Sequence, residues 1–212
     1  RRQRQMCIRD RLSAAGPTNG RVLRRSDNAT PKSIAWIQCV GSRDTRTHPY
    51  CCSVCCMYAT KQAMQIKALG MDAAIFHREL RAFRKGFAEF IESAEKRGVA
   101  YINSDATVSG ETDRHSPIVV FDLEGHRARR EFDMVVLCPT LTPSKDAAQL
   151  AKVLGIGINN SGFFKSSNPI LEPNDTDVEG IYVAGFCQEP KDILESIAHG
   201  SAVAARASEV HA

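Results

Sequence analysis

Five of the eight cysteines of this 212-residue chain lie between Cys39 and Cys56, a span of eighteen residues. Cys39 closes a short apolar run, Ser33 to Val40 (SIAWIQCV), of the kind found in a strand covered on both faces. Cys51, Cys52, Cys55 and Cys56 lie beyond it, just before Tyr58 to Leu69, a stretch of good helix formers stopped by Gly70. In a dinucleotide-binding domain such a strand-to-helix turn carries glycines for a phosphate. Here it carries thiols, at a density that packing does not explain. The first expectation is an iron–sulfur cluster in place of a nucleotide at the crevice of an α/β sheet.

Four thiolates suit iron–sulfur clusters and zinc alike, because both take soft sulfur ligands in a tetrahedral arrangement. Structural zinc uses two well-separated C-x2-4-C knuckles, whereas this run has the adjacent pairs Cys51-Cys52 and Cys55-Cys56 with a distant Cys39. That pattern fits a cluster better. A rival is a redox dithiol of Cys52 and Cys55, a C-x-x-C at a helix N-terminus where the dipole lowers a thiol pKa. It leaves Cys39, Cys51 and Cys56 without a role. A zinc-stabilised interaction module and inert buried cysteines complete the alternatives. Cys138 and Cys187 each end an apolar run, where buried cysteine is common, and neither is assigned as a ligand.

The chain after the cysteines alternates between two periods. Asp72 to His77 reads as a strand, Phe83, Phe87, Phe90, Ile91 and Ala94 fall at helical spacing before Gly98, and Val99 to Asn103 is a third strand. This β-loop-α-β-α-β order predicts a doubly wound parallel sheet. Thr107 to Glu111, Ile118 to Glu124 and His126 to Phe132 form a small antiparallel meander, and Met134 to Cys138 returns to the sheet. A short helix follows over Ala147 to Leu154. Gly180 to Gly185 (GIYVAG) reads as another buried strand, and a final helix from about Asp192 carries a small-residue face suited to packing under a sheet or near a cofactor. The expected organisation is a connector over 12–32, a nucleotide-binding-like domain over 33–138 and a further domain portion over 139–212.

With 43% hydrophobic residues the chain can bury a core. No apolar run approaches a membrane span and no signal sequence opens it, so it reads as soluble and cytoplasmic, where clustered cysteines are metal ligands or redox thiols rather than disulfides. The formal charge of +4 is concentrated in residues 1–11, which hold five Arg and one Asp; the remainder is balanced. No basic stripe is left for nucleic acid. Met6 to Arg11 also resembles the translation of a sequencing adapter, so residues 1–11 are taken as an artefactual or disordered tail and Cys7 is excluded from the functional count.

These residues resemble a family, the A subunits of heterodisulfide reductases and of the related quinone-interacting oxidoreductase of sulfate reducers. The resemblance runs from about Leu12 to Val210. It is carried by Ala15-Gly16-Pro17-Thr18, Ile37 to Asp44, Tyr50-Cys51 with Ser53 to Lys61, Leu80 to Phe87, Gly180 to Gly185 and Pro190 to Ile193. It implies a thioredoxin-reductase-like flavoprotein fragment that holds FAD and a [4Fe–4S] cluster, with the C-terminal part of an FAD domain at its end. Its partners would be other iron–sulfur subunits of the complex, and a homodimer is compatible with it. The family's cluster ligands map onto Cys39, Cys51, Cys55 and Cys56, leaving Cys52 where the family has a small polar residue. Lys61 matches a lysine near the reactive part of the flavin, where a cation stabilises the reduced anion. Gly185, Phe186, Asp192 and Ile193 are the FAD candidates, although the usual Gly-Asp at the strand end is Gly185-Phe186 here. No G-x-G-x-x-G follows a predicted strand, so the chain reads as a fragment of a longer oxidoreductase polypeptide.

Overall fold

The computed structural model describes residues 8–24 and 26–209. Met6 and Cys7 lie outside them, whereas Ile8–Leu12 forms a short helix, α1, that buries Ile8. The chain divides into two compact units: the residues up to Val40 together with Cys55–Pro139, and Gly41–Val54 together with the residues from Thr140 on.

The first unit is built on β1 (Ser33–Val40), buried without interruption from Ile34 to Cys39. After it come α2 (Cys55–Ala68), β2 (Asp72–His77), α3 (Phe87–Lys96) and β3 (Ala100–Asn103). The meander β4 (Ala106–Glu111), β5 (Pro117–Leu123) and β6 (His126–Glu131) precedes β7 (Met134–Pro139). The four-stranded sheet has the order β3-β2-β1-β7 with every pairing parallel, and the meander is a separate antiparallel sheet of order β4-β5-β6.

Alternation along β1 sorts its side chains between two layers. Ala35 and Ile37, with Ala74 and Phe76 of β2, pack against Val119, Phe121 and Phe132 from the meander. The Phe76 ring meets Phe121 at 4.8 Å and stands edge-on to Phe132 at 5.9 Å. On the opposite face, fully buried Trp36 donates its Nε1–H to Gln62 Oε1 of α2 at 3.0 Å. Helix α2 approaches through Ala59, Ala63 and Ile66, whose spacing places them on one stripe. An enclosed strand of this kind needs the near-continuous apolar run its sequence supplies.

The second unit contains α4 (Ala147–Leu154), which packs into a small core of Ala151, Ile156 and Val183, and α5 (Ile193–Glu209). Two sequence expectations are corrected here. Gly180 to Gly185 is not a strand: it makes one isolated antiparallel bridge, Asp175 with Tyr182, and ends in a 3-10 turn at Gly185–Cys187. No strand among the described residues runs beside it, and its backbone is spent on local bonds such as Val183 N–H to Asn174 O at 2.8 Å. Nor does α5 pack a small-residue face under a sheet: none of its described residues is buried, and Ile193 and Ile197 are 78% and 60% exposed. Among the described residues no helix is long and apolar enough to cross a membrane.

The two-layer enclosure of the parallel sheet makes the first unit depend on Phe132. Phe132→Ala is expected to lower unfolding free energy by about 3–5 kcal/mol in urea titrations, against about 0.5 kcal/mol or less for Phe83→Ala at an exposed position.

Candidate functional site

The end of β1 is irregular at the first of the clustered cysteines. Ile37 pairs with Leu137 but Val40 pairs with Pro139, so Gln38 and Cys39 together face the single residue Cys138 of β7. This is a β-bulge. Cys39 adopts a left-handed backbone, φ 57°, which costs a residue with a Cβ about 1–2 kcal/mol. The bulge breaks the alternation that would otherwise assign Cys39 to the same face as Ala35 and Ile37. Strained positions of this sort concentrate at functional sites.

Cys55 and Cys56 occupy the first turn of α2, which begins three residues before the helix-forming stretch expected from Tyr58. Val54 offers no capping side chain, so the sequence carries no start signal there. The first turn holds no acidic residue. The dipole of a helix first turn favours an anionic thiolate. Both thiols are buried. Cys56 Sγ–H donates to Gln38 Oε1 at 3.5 Å, and the Arg81 backbone N–H donates to Cys56 Sγ at 3.4 Å. Gln38 Nε2 is buried without a hydrogen-bond partner.

Beside this lies a polar cluster of Thr60 on α2, His77 at the end of β2 and Tyr101 on β3. Thr60 Oγ1 and Tyr101 Oη share a hydrogen bond of 2.8 Å, and the His77 ring meets Tyr101 edge-on at 6.1 Å. Burial pushes the Tyr101 hydroxyl pKa up and the His77 imidazole pKa down, and His77 Nδ1 has no hydrogen-bond partner. Gln38, His77 and Tyr101 escape a search for cysteines and flavin contacts. The signal that could have found them is a polar residue inside an otherwise apolar strand, Gln38 in SIAWIQCV and His77 in DAAIFH.

Cys51 and Cys52 belong to the loop Gly41–Val54, which is internally ordered. Arg43 N–H bonds to Tyr50 O, Asp44 N–H to His48 O, and His48 Nδ1 lies 3.0 Å from Gly41 O. Tyr50 Oη–H donates to Leu141 O at 2.9 Å, with its ring edge-on to Phe163 at 5.6 Å. Cys51 Sγ accepts the Ser53 N–H at 3.3 Å, and Cys52 is buried. Of the two unassigned cysteines, Cys138 is buried and Cys187 is exposed, the latter unlike the usual strand-end cysteine.

The flavin candidates are more dispersed. Lys61 is exposed on α2. Gly185 is buried with φ 66°, a left-handed backbone that favours glycine, and a Cβ there would stand in ordinary contact with Ser196. Phe186 and Ile193 are exposed. Asp192 Oδ1 accepts the Glu195 N–H and Glu195 Oε2 accepts the Asp192 N–H, each at 2.8 Å, a reciprocal capping box that starts α5. A cleft of about 550 Å3 in the same unit as Gly185 is lined by Lys165, Gln188, Glu189, Lys191 and His199 among others, and by none of the five flavin candidates. Burial and the Lys191 ammonium hold the His199 pKa down.

Among the described residues no three His, Cys, Asp or Glu side chains stand together as a metal site. The donor chemistry itself fits an iron–sulfur cluster. Cys39, Cys55 and Cys56 carry soft sulfur donors nearly excluded from water, two of them in a helix first turn, with an amide N–H of Gln38 buried and unpartnered beside Cys56.

No family model matches the chain. Similar proteins are known by sequence. The second iron-sulfur A subunit of the CoB–CoM heterodisulfide reductase of Methanopyrus kandleri is 44% identical over 204 residues, covering 93% of this chain and 31% of that protein. The A subunit of the H(2):CoB-CoM heterodisulfide,ferredoxin reductase of Methanothermobacter marburgensis is 41% identical over 203 residues, with the same coverage of 93% and 31%. The A subunit of the ferredoxin/F(420)H(2)-dependent CoB-CoM heterodisulfide reductase of Methanosarcina acetivorans is 37% identical, covering 94% and 26%. The chain therefore spans less than a third of the length of these relatives. By structure it resembles thioredoxin reductases of T. acidophilum (TM-score 0.55, 16% identity, 86% of this chain and 53% of that one) and Lactococcus lactis (TM-score 0.54, 17% identity, 84% and 52%). These likenesses establish a thioredoxin-reductase-like α/β fold.

The lowered pKa of His77 has a consequence for stability. Above the ordinary value of 6.5 the imidazole is neutral in both states and contributes nothing. As pH falls below it, the unfolded chain binds a proton that the folded chain resists, so stability declines with acidification. Urea unfolding at about pH 7.5 and about pH 5.5 should show a smaller loss for His77→Phe than for the wild type, and equal losses would contradict this.

Proposed function

Because the chain belongs to the family of heterodisulfide reductase A subunits, we propose that it is the cluster-bearing part of an electron-transferring FAD and iron–sulfur oxidoreductase. In this reading Cys39, Cys51, Cys55 and Cys56 hold a [4Fe–4S] cluster, and the protein relays electrons within a heterodisulfide-reductase-type complex. The observation that carries the proposal is the left-handed bulge at Cys39, the last buried residue of the central strand. A structural cysteine has no reason to bear that backbone cost, whereas glycine would occupy the position freely. The relatives' names, which specify iron–sulfur and heterodisulfide reduction, support the same reading.

A bound cluster supplies one-electron transfer, and a flavin exchanges electrons singly or in pairs. The chain's own contribution is placement and tuning. The α2 N-terminus favours the thiolate forms of Cys55 and Cys56. Burial keeps water from the sulfurs. Lys61 is assigned to the flavin, where its ammonium would stabilise reduced anionic flavin. Gly185, Phe186, Asp192 and Ile193 are assigned to the FAD side, with Asp192 acting through the α5 N-terminus whose first turn it caps. The proposed partners are other iron–sulfur subunits of the complex, with a second copy of the chain compatible.

The competing dithiol reading is disfavoured by burial. Cys52 and Cys55 are both 1% exposed, whereas a thiol that exchanges with a disulfide substrate needs access. A zinc module remains chemically distinct and is separated by metal analysis.

Anaerobically purified or reconstituted chain is expected to be brown, with iron and sulfide at about four each. Cys52→Ser should retain both. Cys39→Gly should lose them while the metal-free protein keeps its stability or gains up to about 1 kcal/mol, since glycine relieves the left-handed backbone. A colourless, iron-free wild-type preparation after reconstitution would overturn the proposal, and stoichiometric zinc would replace it.

A further inference from the structure

We infer that Gln38 is a positioning residue that sets how readily the cluster proposed on Cys39, Cys51, Cys55 and Cys56 is reduced, by presenting its amide to Cys56 Sγ; the inference rests on that ligand reading. Gln38 is 6% exposed at the end of the enclosed strand β1, on the same face as Trp36 and therefore toward α2. Its Oε1 accepts the Cys56 thiol proton at 3.5 Å, while its Nε2 is buried and makes no hydrogen bond. A buried amide N–H left unpaired is costly, and so marks a group whose partner is supplied in another state of the site.

That state is the one in which Cys56 binds metal. A ligating sulfur has given up its proton and can only accept, so it would repel the Oε1 that now faces it. A half-turn of the amide about its last torsion exchanges Oε1 for Nε2 and offers the sulfur an N–H. The same side chain thus satisfies the thiol before loading and the thiolate after it. The Arg81 backbone N–H, 3.4 Å from Cys56 Sγ, supplies a donor that does not depend on a side chain.

Donors to a ligand sulfur stabilise the added negative charge of the reduced form more than the oxidised form, which raises the reduction potential. The step is the gain of one electron, supplied by dithionite in the test, with no bond made or broken at Gln38 or Cys56.

The test uses the full chain after anaerobic reconstitution, comparing wild type with Gln38→Met, which keeps the length without the amide, and Gln38→Leu, which keeps a neutral side chain of similar size without the amide. Iron content is measured first, then the midpoint potential by titration followed by electron paramagnetic resonance. Both variants are expected to carry wild-type iron and to show about a tenfold lower ratio of reduced to oxidised protein at a fixed poise, equivalent to about 59 mV for one electron. Gln38→Leu carries the test alone should Gln38→Met not fold. An unchanged midpoint in variants with wild-type iron overturns the role of Gln38 and leaves the ligand reading standing. A wild-type chain that binds no iron overturns the ligand reading and this inference with it.

Discussion

Strand β1 is enclosed on both faces and paired on both edges, and the first unit is arranged around that enclosure. The meander covers Ala35 and Ile37, α2 covers Trp36 and Gln38, and β2 and β7 take the two edges. A strand with no exposed side must place any polar group where a specific partner exists. Trp36 finds Gln62 at 3.0 Å. Gln38 finds Cys56, and only through its oxygen. The enclosure thus directs attention to the carboxyl end of the strand, where open α/β sheets hold their ligands.

At that end three features coincide: a bulge that puts Cys39 in the left-handed region, a helix first turn made of Cys55 and Cys56, and buried polar atoms of Gln38 and His77 without hydrogen-bond partners. Together they describe a place where backbone strain, a favourable dipole and unspent hydrogen-bonding capacity meet cysteine sulfurs. A metal-bound state would use all of them, since thiolates benefit from the dipole and from N–H donors alike.

The parts of the fold that were legible in the sequence are those set by local pattern. The bounds of β1 and β2 followed from continuous apolar runs, because burial on both faces removes the need for alternation. The meander followed from its turns. What escaped was set by pairing between distant segments. The Cys39 bulge exists because Val40 registers with Pro139, a relation that no window around Cys39 contains. The run Gly180 to Gly185 has strand composition, yet a strand needs neighbours, and a single bridge between Asp175 and Tyr182 is all it makes. Asp192 carried a readable signal, Asp-x-x-Glu at a helix start, and the structure uses it as a cap through Glu195. The clustered cysteines were evident from spacing, whereas Gln38 becomes meaningful only once α2 is seen to lie over its face.

The claim on which everything else turns is that these sulfurs hold an iron–sulfur cluster rather than zinc or a dithiol. X-ray absorption at the iron and zinc edges of the anaerobically reconstituted chain addresses it most directly. A cluster on these cysteines requires an iron edge whose fine structure contains sulfur neighbours and a second shell of iron. Sulfur-coordinated zinc, or iron with sulfur neighbours and no iron–iron shell, would contradict it.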